Sequence, residues 1–289
     1  ENGHRLWQER RPTEMAAKSL DWKAVVKSTG LRLVVMMVGL YLVSGILEPN
    51  YLQPSHIMST LVLCCFLGII CIGQTLIILT GGADLSVAYS VTFSACVFAQ
   101  TTKETGNGWI GFAAAMLVGV LMGLFKGVGV AYLKITPMVM TLATNSILMS
   151  ATFLYTQGVL KGESTAVVTA LAKDSFLGIR YCVLLWVALG IATIFLLKKT
   201  TFGRKIFAVG CSPRVTDLSG INTQVVLVGV YVIASVMMAV AGILLIGHLG
   251  YPNYTMGDSY QLISIAAVVI GGTSILGGHG GYLGTMGGV

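Results

Sequence analysis

Residues 57–86 read IMSTLVLCCFLGIICIGQTLIILTGGADLS, and this stretch decides the class of fold. From Ile57 to Ala83 it contains no Asp, Glu, Lys or Arg. A helix needs about 20 consecutive, mainly apolar residues to cross the hydrocarbon core of a bilayer. The stretch therefore predicts a membrane-spanning helix that ends at the polar sequence Thr80-Gly-Gly-Ala-Asp84.

The whole chain of 289 residues is likewise rich in apolar and poor in charged residues. It is 55% apolar and 10% charged, with a mean hydropathy of +0.83, whereas soluble domains carry roughly a quarter charged residues. The stretches without a charged residue are 49–83, 85–102, 105–125, 135–160, 181–197, 218–257 and 259–289. This pattern excludes a soluble enzyme, a nucleic-acid-binding protein and a disordered chain. It predicts an all-α, polytopic membrane protein of eight or more spans, some of them broken or rich in glycine.

The apolar runs also define the organisation of the chain. They predict spans at 31–47, 57–79, 109–133, 138–155, 181–197 and 225–246, with further apolar runs at 85–100 and 260–289. Residues 157–180 are mixed and predict an outer loop with a short helix. We expect two regions: a basic amphipathic segment at 1–30 on the cytoplasmic surface, and a transmembrane domain at 31–289.

The net charge of +7 comes from unevenly distributed basic residues. Six Lys and Arg lie in residues 1–30 and five in the loop 198–224. Threading the spans from a cytoplasmic N-terminus places these residues and Lys134 inside, and only four outside. Because short cytoplasmic loops are enriched in Lys and Arg, the count predicts a cytoplasmic N-terminus. A basic segment beside the membrane also favours anionic lipid over nucleic acid as a partner.

A stripe of small residues runs along the predicted span 109–133. It comprises Gly111, Ala115, Gly119, Gly123, Gly127 and Ala131, four residues apart. Small residues at this spacing allow helix backbones to approach closely in lipid. The stripe predicts a tightly packed helix pair.

The chain carries no recognisable catalytic centre. It contains no GxxxxGK[ST] phosphate-binding loop, no paired carboxylates and no His–Glu cluster. The six cysteines form no CxxC pair, and most lie inside apolar runs, so a metal site or a disulfide framework is not expected. We predict no catalytic or metal-binding residues and no cofactor bound by this chain. ATP for uphill transport would have to be hydrolysed on another subunit.

The polar sequence at 80–86 allows two interpretations. Two glycines followed by Asp84 and Ser86 are typical of a helix end and a new N-cap, which favours a capped turn. Irregular backbone at membrane depth is tolerated where protein or a cavity covers it, so a broken helix beside a translocation path is the alternative.

Here the sequence resembles a known family. Residues 81–87, GGADLSV, resemble the GGIDLSVG segment of ribose-type sugar permeases, the membrane subunits of bacterial ATP-binding-cassette (ABC) importers. Further resemblances follow in order: VAYLKITP at 130–137 with TLAT at 141–144, TFGR, AVG and LSGI in the loop 198–224, and AAVVIGGTS at 266–274. The similarity extends from about residue 35 to the last residue. It implies a permease domain at 31–289 and, since relatives usually continue through another hydrophobic segment, residues beyond Val289.

The chain departs from the family pattern at three positions. Ala83 and Ala88 replace the usual Ile and Gly, and Lys126 stands where the family commonly has Asn. A lysine inside a span either snorkels to the interface or lines a polar route, and the short distance to Lys134 favours snorkelling. For Asn145, we favour a hydrogen bond to another helix, and the alternative is that it lines the substrate path. The candidate substrate-path residues are Asp84, Ser86, Lys126, Thr141 and Asn145.

The basic loop 198–224 predicts a short amphipathic helix. Ser212 is suited to cap it, Pro213 to occupy its first position, and Gly220 to end it. Its apolar edge would be Val215, Leu218 and Ile221. The helix could lie on the membrane surface, but the resemblance implies a coupling helix that seats in an ATPase subunit. The candidate coupling residues are Gly203, Arg204, Arg214, Asp217, Leu218, Gly220 and Ile221.

The resemblance implies a permease subunit in the bacterial inner membrane that passes a sugar or a similar small polar solute. Its expected partners are ATPase subunits that bind ATP and Mg²⁺, a second permease subunit, a periplasmic substrate-binding protein and membrane lipid. The alternative is an ion- or proton-coupled secondary transporter that uses Asp84. A membrane-embedded enzyme is disfavoured because no acid–base cluster is present. The residues do not distinguish pentose, hexose, nucleoside or signalling furanone as the solute, nor a homodimer from a heterodimer.

Overall fold

The computed structural model describes residues 29–48, 51, 53–176 and 178–289. These residues form twelve helices and one small antiparallel hairpin. The helices are α1 (Thr29–Leu47), α2 (Pro54–Leu79), α3 (Val87–Thr105), α4 (Gly108–Ala131), α5 (Pro137–Thr156), α6 (Ala166–Lys173), α7 (Tyr181–Lys199), α8 (Thr201–Cys211), α9 (Pro213–Leu218), α10 (Thr223–Leu249), α11 (Tyr260–Ile270) and α12 (Tyr282–Gly288). The hairpin pairs β1 (Ser175–Phe176) with β2 (Ile179–Arg180). The predicted amphipathic segment falls almost entirely on residues 1–28, outside the described residues.

Local sequence explains where several helices begin. Pro54 and Pro137 occupy the first positions of α2 and α5, where a missing N–H costs nothing. Asn107 begins α4 because its side-chain oxygen accepts the backbone N–H of Trp109. Thr200 and Asn222 cap α8 and α10 in the same way. Side-chain caps satisfy N–H groups that lack a partner in the first turn.

A helical membrane architecture is confirmed, but the expected eight or more spans are not. Within the described residues, five helices are long and apolar enough to cross a bilayer: α2, α4, α5, α7 and α10. The run 85–100 forms α3, whose buried face includes Ser90, Thr92 and Ser94 and is covered by protein. The run 260–289 splits into α11, of 11 residues, and α12, of 7 residues. A helix of 11 residues spans only about 16 Å, which is too short for a bilayer.

The stripe of small residues on α4 forms the predicted close helix contact: Gly119, Gly123 and Gly127 pack against α10, and Gly111 packs against α3. All six of its residues are buried. A Cβ added at Gly127 would lie 2.8 Å from Val228 Cα, and one added at Gly119 would lie 3.1 Å from Ala239 Cβ. The order of these contacts shows that α4 and α10 are antiparallel.

The centre of the molecule is the pair α2 and α10. Both helices are largely buried along their inner parts. A Cβ at Gly73 would lie 2.6 Å from Ala234 Cα, and the rings of Phe66 and His248 are 5.5 Å apart. These two helices are therefore also antiparallel, and α2 fills the core between α10, α7 and α11.

The glycine-rich C-terminal region folds back onto this core. The Tyr282 hydroxyl donates to the carbonyl oxygen of Gly68 on α2, at 2.8 Å, and accepts the indole N–H of Trp186 on α7, at 2.8 Å. These bonds attach α12 to the helix bundle. The mixed region 157–180 contains the short helix that was predicted there, α6, followed by the hairpin.

Candidate functional site

The site is built around the non-helical segment 80–86, which we call the first break. Helix α2 ends at Leu79, and Gly81 takes a positive φ of 82° that few residues other than glycine adopt. The chain then runs without helix to Val87, where α3 begins. Asp84 and Ser86 are fully buried. The first break therefore interrupts the helix with its charged and hydroxyl side chains inside the protein, whereas Gly81 at its start is exposed.

A buried ion pair fastens the first break to α4. Lys126 Nζ lies 2.7 Å from Asp84 Oδ2 and 2.9 Å from Ser86 Oγ, and both charged side chains are 0% exposed. Asp84 Oδ1 accepts the backbone N–H and the hydroxyl of Ser86, at 2.7 and 2.6 Å. Buried charges are tolerated when they are paired and their remaining groups are hydrogen-bonded. Asp84, Ser86 and Lys126 meet this condition as one cluster.

The preferred prediction for Lys126, snorkelling to the interface, is wrong. Its side chain is directed into the bundle, where the carboxylate of Asp84 compensates its charge. The same contact bears on the secondary-transport alternative. Asp84 does not stand free, since it is held by a lysine ammonium within hydrogen-bond distance.

Two side chains of α5 complete the first break. Thr141 Oγ1 accepts the backbone N–H of Leu85 at 3.0 Å, and Asn145 Oδ1 accepts that of Tyr89 at 3.3 Å. Thr141 and Asn145 are four residues apart and so share one face of α5. They serve as acceptors for N–H groups at the start of α3. Asn145 thus bonds another helix, as preferred from the sequence.

A second non-helical segment, 250–259, meets the first break, and we call it the second break. It follows α10 and precedes α11. Gln261 Nε2 donates to the carbonyl oxygen of Leu85 at 2.8 Å. A Cβ at Gly257 would lie 2.8 Å from the carbonyl carbon of Ala88. The starts of α3 and α11 are therefore neighbours inside the molecule.

The described residues offer no group of three or more His, Cys, Asp or Glu that could hold a metal ion. The cluster at the first break instead combines one positive and one negative charge with hydroxyl and amide groups. Its formal charges cancel. Such a set can hold or pass polar groups by hydrogen bonding.

The loop 198–224 contains the predicted short helix, α9. Ser212 Oγ accepts the backbone N–H of Val215, Pro213 is the first helical residue, and Gly220 takes a positive φ of 77° just after the helix. Val215 and Leu218 are 61% and 83% exposed. The helix therefore presents two apolar side chains on its outer face.

The other predicted coupling residues divide between this surface and the framework beneath it. Arg204 and Arg214 are exposed, whereas Ile221 is half-buried and packs against the core, which corrects its place on the exposed edge. Asp217 Oδ1 accepts the backbone N–H of Thr223 at 3.2 Å and so joins α9 to α10. Gly203 is buried where α8 turns back on the end of α7.

The structure thus brings all five predicted path residues together at the first break. It adds residues that the sequence analysis did not single out: Gln74, Tyr231, Ser235 and Gln261. Gln74 had a visible signal, because it is a polar residue in the middle of the apolar run 57–79. The others required knowledge of which helices meet.

Comparison with known proteins identifies the family. Residues 56–285 match the family described as branched-chain amino acid transport system / permease component. The chain belongs to this permease family.

Individual members identify the sugar-importing branch of the permease family. The chain is 34% identical to the ribose import permease protein of Bacillus subtilis, over 86% of this chain and 78% of the relative. It is 30% identical to the fructose import permease protein of Rhizobium meliloti and to the autoinducer 2 import system permease protein of Salmonella paratyphi B, in each case over 88% of this chain and 73% of the relative. No solved structure was found to match the chain. This permease is therefore a transport protein of the sugar ABC permease family and a multi-pass protein of the inner membrane.

Proposed function

We propose that this permease passes a sugar or a similar small polar solute through the inner membrane as one subunit of an ABC importer. The solutes in the names of its relatives are ribose, fructose and autoinducer 2, all small and polar. A periplasmic binding protein delivers the solute, and a separate ATPase subunit binds ATP and Mg²⁺. A second permease subunit completes the pathway, and the N-terminus faces the cytoplasm.

The observation that carries this proposal is the outer face of α9. Exposed apolar side chains on a short, capped helix are suited to insertion into a groove of another protein. Thr216 on the opposite face is buried, so α9 is seated on the permease while Val215 and Leu218 point away from it. We assign this face to contact with the ATPase subunit.

A chain of contacts leads from α9 to the first break. Helix α8, which precedes α9, places Gly210 directly against the carbonyl oxygen of Leu79, the last residue of α2. That same oxygen accepts the backbone N–H of Gly278 at 2.9 Å. A displacement of α9 by the ATPase would therefore be transmitted through α8 to the point where α2 ends and the first break begins. Coupling needs such a physically contiguous connection between two-state elements.

At the first break, we assign the solute path to the cluster of Asp84, Ser86, Lys126, Thr141 and Asn145. These five side chains now bond one another or the backbone of the break. Separation of α4 or α5 from the break would free these donors and acceptors for a solute.

The test is capture of the ATPase by the permease carrying Leu218→Asp. We expect this variant to purify from gently solubilised membranes as a folded protein without the ATPase, and to lose ATP-dependent sugar uptake in proteoliposomes. The charge-matched control is Ser219→Asp, because Ser219 is also exposed and lies next to Leu218. Its ATPase capture should stay within about twofold of wild type. Equal capture by Leu218→Asp and wild type, or uptake by the permease alone without ATP, would contradict the proposal.

A further inference from the structure

Three buried polar side chains beside the first break have no hydrogen-bond partner. They are Gln74 on α2 and Tyr231 and Ser235 on α10, each at most 1% exposed. Both amide atoms of Gln74, the Tyr231 hydroxyl and the Ser235 hydroxyl lack a partner within the described part of the chain. Buried polar atoms are nearly always hydrogen-bonded. These four atoms therefore carry hydrogen-bonding capacity inside the protein that no described residue uses.

The geometry of the central helix pair places Gln74 and Ser235 on the same side. Gly73 of α2 contacts Ala234 of α10, and Gln74 and Ser235 are the next residues along each helix. Successive helical residues are rotated by about 100°. Because the helices are antiparallel, the two rotations carry Gln74 and Ser235 to one side of the pair.

That side is the one that faces the first break. A Cβ at Gly82 would lie 3.1 Å from the Tyr231 hydroxyl and 3.2 Å from Ile77 Cγ2. Tyr231 is four residues before Ser235, and Ile77 is three residues after Gln74, so each pair shares a helix face. Tyr231 therefore lies next to the first break, and Gln74 and Ser235 lie about one helical turn further along the same side of the helix pair. We call Gln74, Tyr231 and Ser235 the polar face.

The chemistry of the polar face indicates which class of solute it could bind. Asp84 and Lys126 neutralise each other at 2.7 Å, so the region offers no net charge to an ion. An amide, a phenol and a serine hydroxyl both donate and accept hydrogen bonds, as the hydroxyl groups of a polyol do. An ammonium has three N–H donors, and Asp84 and Ser86 account for two of those of Lys126.

We propose that the polar face is a solute-contacting surface for a neutral, polyhydroxylated solute at the level of the first break. This inference rests on the proposed import function and extends it to residues of α2 and α10. In it, Gln74, Tyr231 and Ser235 exchange hydrogen bonds with solute hydroxyl groups during passage. Their polar atoms stand without protein partners because the partners they bind belong to the solute.

The test uses Gln74→Leu, Tyr231→Phe and Ser235→Ala in the complete importer, reconstituted with its ATPase and binding protein. Ribose and fructose are the first probes, each compared with a deoxy analogue that lacks one hydroxyl group. We expect each variant to lower uptake of the transported sugar by about threefold to tenfold, the range for loss of one hydrogen bond. At least one variant should also lower the preference for that sugar over its deoxy analogue. With the same loaded binding protein in every assay, a changed preference arises in the permease.

Stability measurements separate solute contact from a structural role. Because the replaced atoms have no protein partner, the variants should unfold at or above the wild-type temperature. Thr193→Val is the matched control, since the Thr193 hydroxyl is buried but bonded to Leu189 within α7. Its sugar preference should be that of wild type. Lower unfolding temperatures with unchanged uptake and preference would identify a hydrated structural cluster and overturn the inference. A wild-type importer that, with ATP, takes up no small polar solute that its binding protein binds would overturn the proposed function and this inference with it.

Discussion

The first and second breaks interrupt similar units in different ways. In each unit a long helix, of 26 residues in α2 and 27 in α10, is followed by a non-helical segment and a shorter helix. The first break is held by the ion pair of Asp84 and Lys126 together with side chains from α5. The second is held by the close contact of Gly257 with Ala88. It is also held by one hydrogen bond, which the side-chain amide of Gln261 at the start of α11 donates to the Leu85 carbonyl. One break therefore depends on compensated charge, the other on the absence of a side chain.

Because of this difference, we expect substitutions in the two breaks to affect stability in different ways. A compensated pair tolerates removal of both partners but not of one. An atom added at a glycine contact forces the opposing backbone to shift, which costs more than moving a flexible side chain aside. Double substitutions should rescue the first break and not the second.

The largest effect is expected from breaking the ion pair. Asp84→Asn leaves the buried Lys126 ammonium without its charge partner, which should lower the free energy of unfolding by about 3–5 kcal/mol. The double variant Asp84→Asn with Lys126→Met removes both charges and should recover most of that loss. Thermal unfolding of the purified permease in detergent measures both. Additive losses in the double variant would show that the two residues are not coupled.

A smaller loss is expected from Gly257→Ala in the second break. The added Cβ would lie 2.8 Å from the carbonyl carbon of Ala88, so the backbone must shift, at a cost of about 1–3 kcal/mol. Gly287→Ala is the control, since a Cβ there meets nothing within 4 Å. The same unfolding assay should leave this control at or above wild-type stability. A Gly257→Ala protein as stable as wild type would mean that the second break adapts as readily as a loop.

The bond that joins the two breaks should matter less. Gln261→Leu removes the donor to the Leu85 carbonyl, and we expect a loss of about 0.5–1.5 kcal/mol in the free energy of unfolding. Hydrogen exchange at the start of α3 should increase at the same time, because the second break no longer restrains it. Unchanged exchange there would show that the breaks are mechanically independent.

The smallest effect is expected at the support from α5. Asn145→Ala removes the acceptor of the Tyr89 N–H, but this bond is 3.3 Å long and Asn145 is only half-buried. Water can replace the side-chain oxygen, so the free energy of unfolding should fall by about 0.5–1 kcal/mol. A loss as large as that of Asp84→Asn would place the principal support of the first break on α5.

The sequence was sufficient for the features that depend on local pattern. Apolar runs predicted the five long helices, and Ser212, Pro213 and Gly220 predicted α9 at its observed position. The four-residue spacing of small residues predicted the close contact of α4, although not its partner α10. The resemblance placed the site at the first break.

What the sequence could not supply were interactions between distant segments. The short distance between Lys126 and Lys134 favoured snorkelling. No local pattern indicated that Asp84, forty-two residues earlier, would lie next to Lys126. The expected eight or more spans were not confirmed within the described residues, because an apolar run does not distinguish a full crossing from a shorter helix covered by protein, as in α11. The contact between the two breaks likewise depends on tertiary structure.

The close contact of α4 with α10 also limits how this permease can move. With backbone against backbone at Gly119, Gly123 and Gly127, there are no long side chains along this seam to rearrange when one helix slides past the other. If α4 moved along α10, each glycine of α4 would leave the backbone that it contacts and meet the next side chain of α10. We therefore expect the two helices to move together as one rigid body, with the hinge of any transport cycle outside this helix pair.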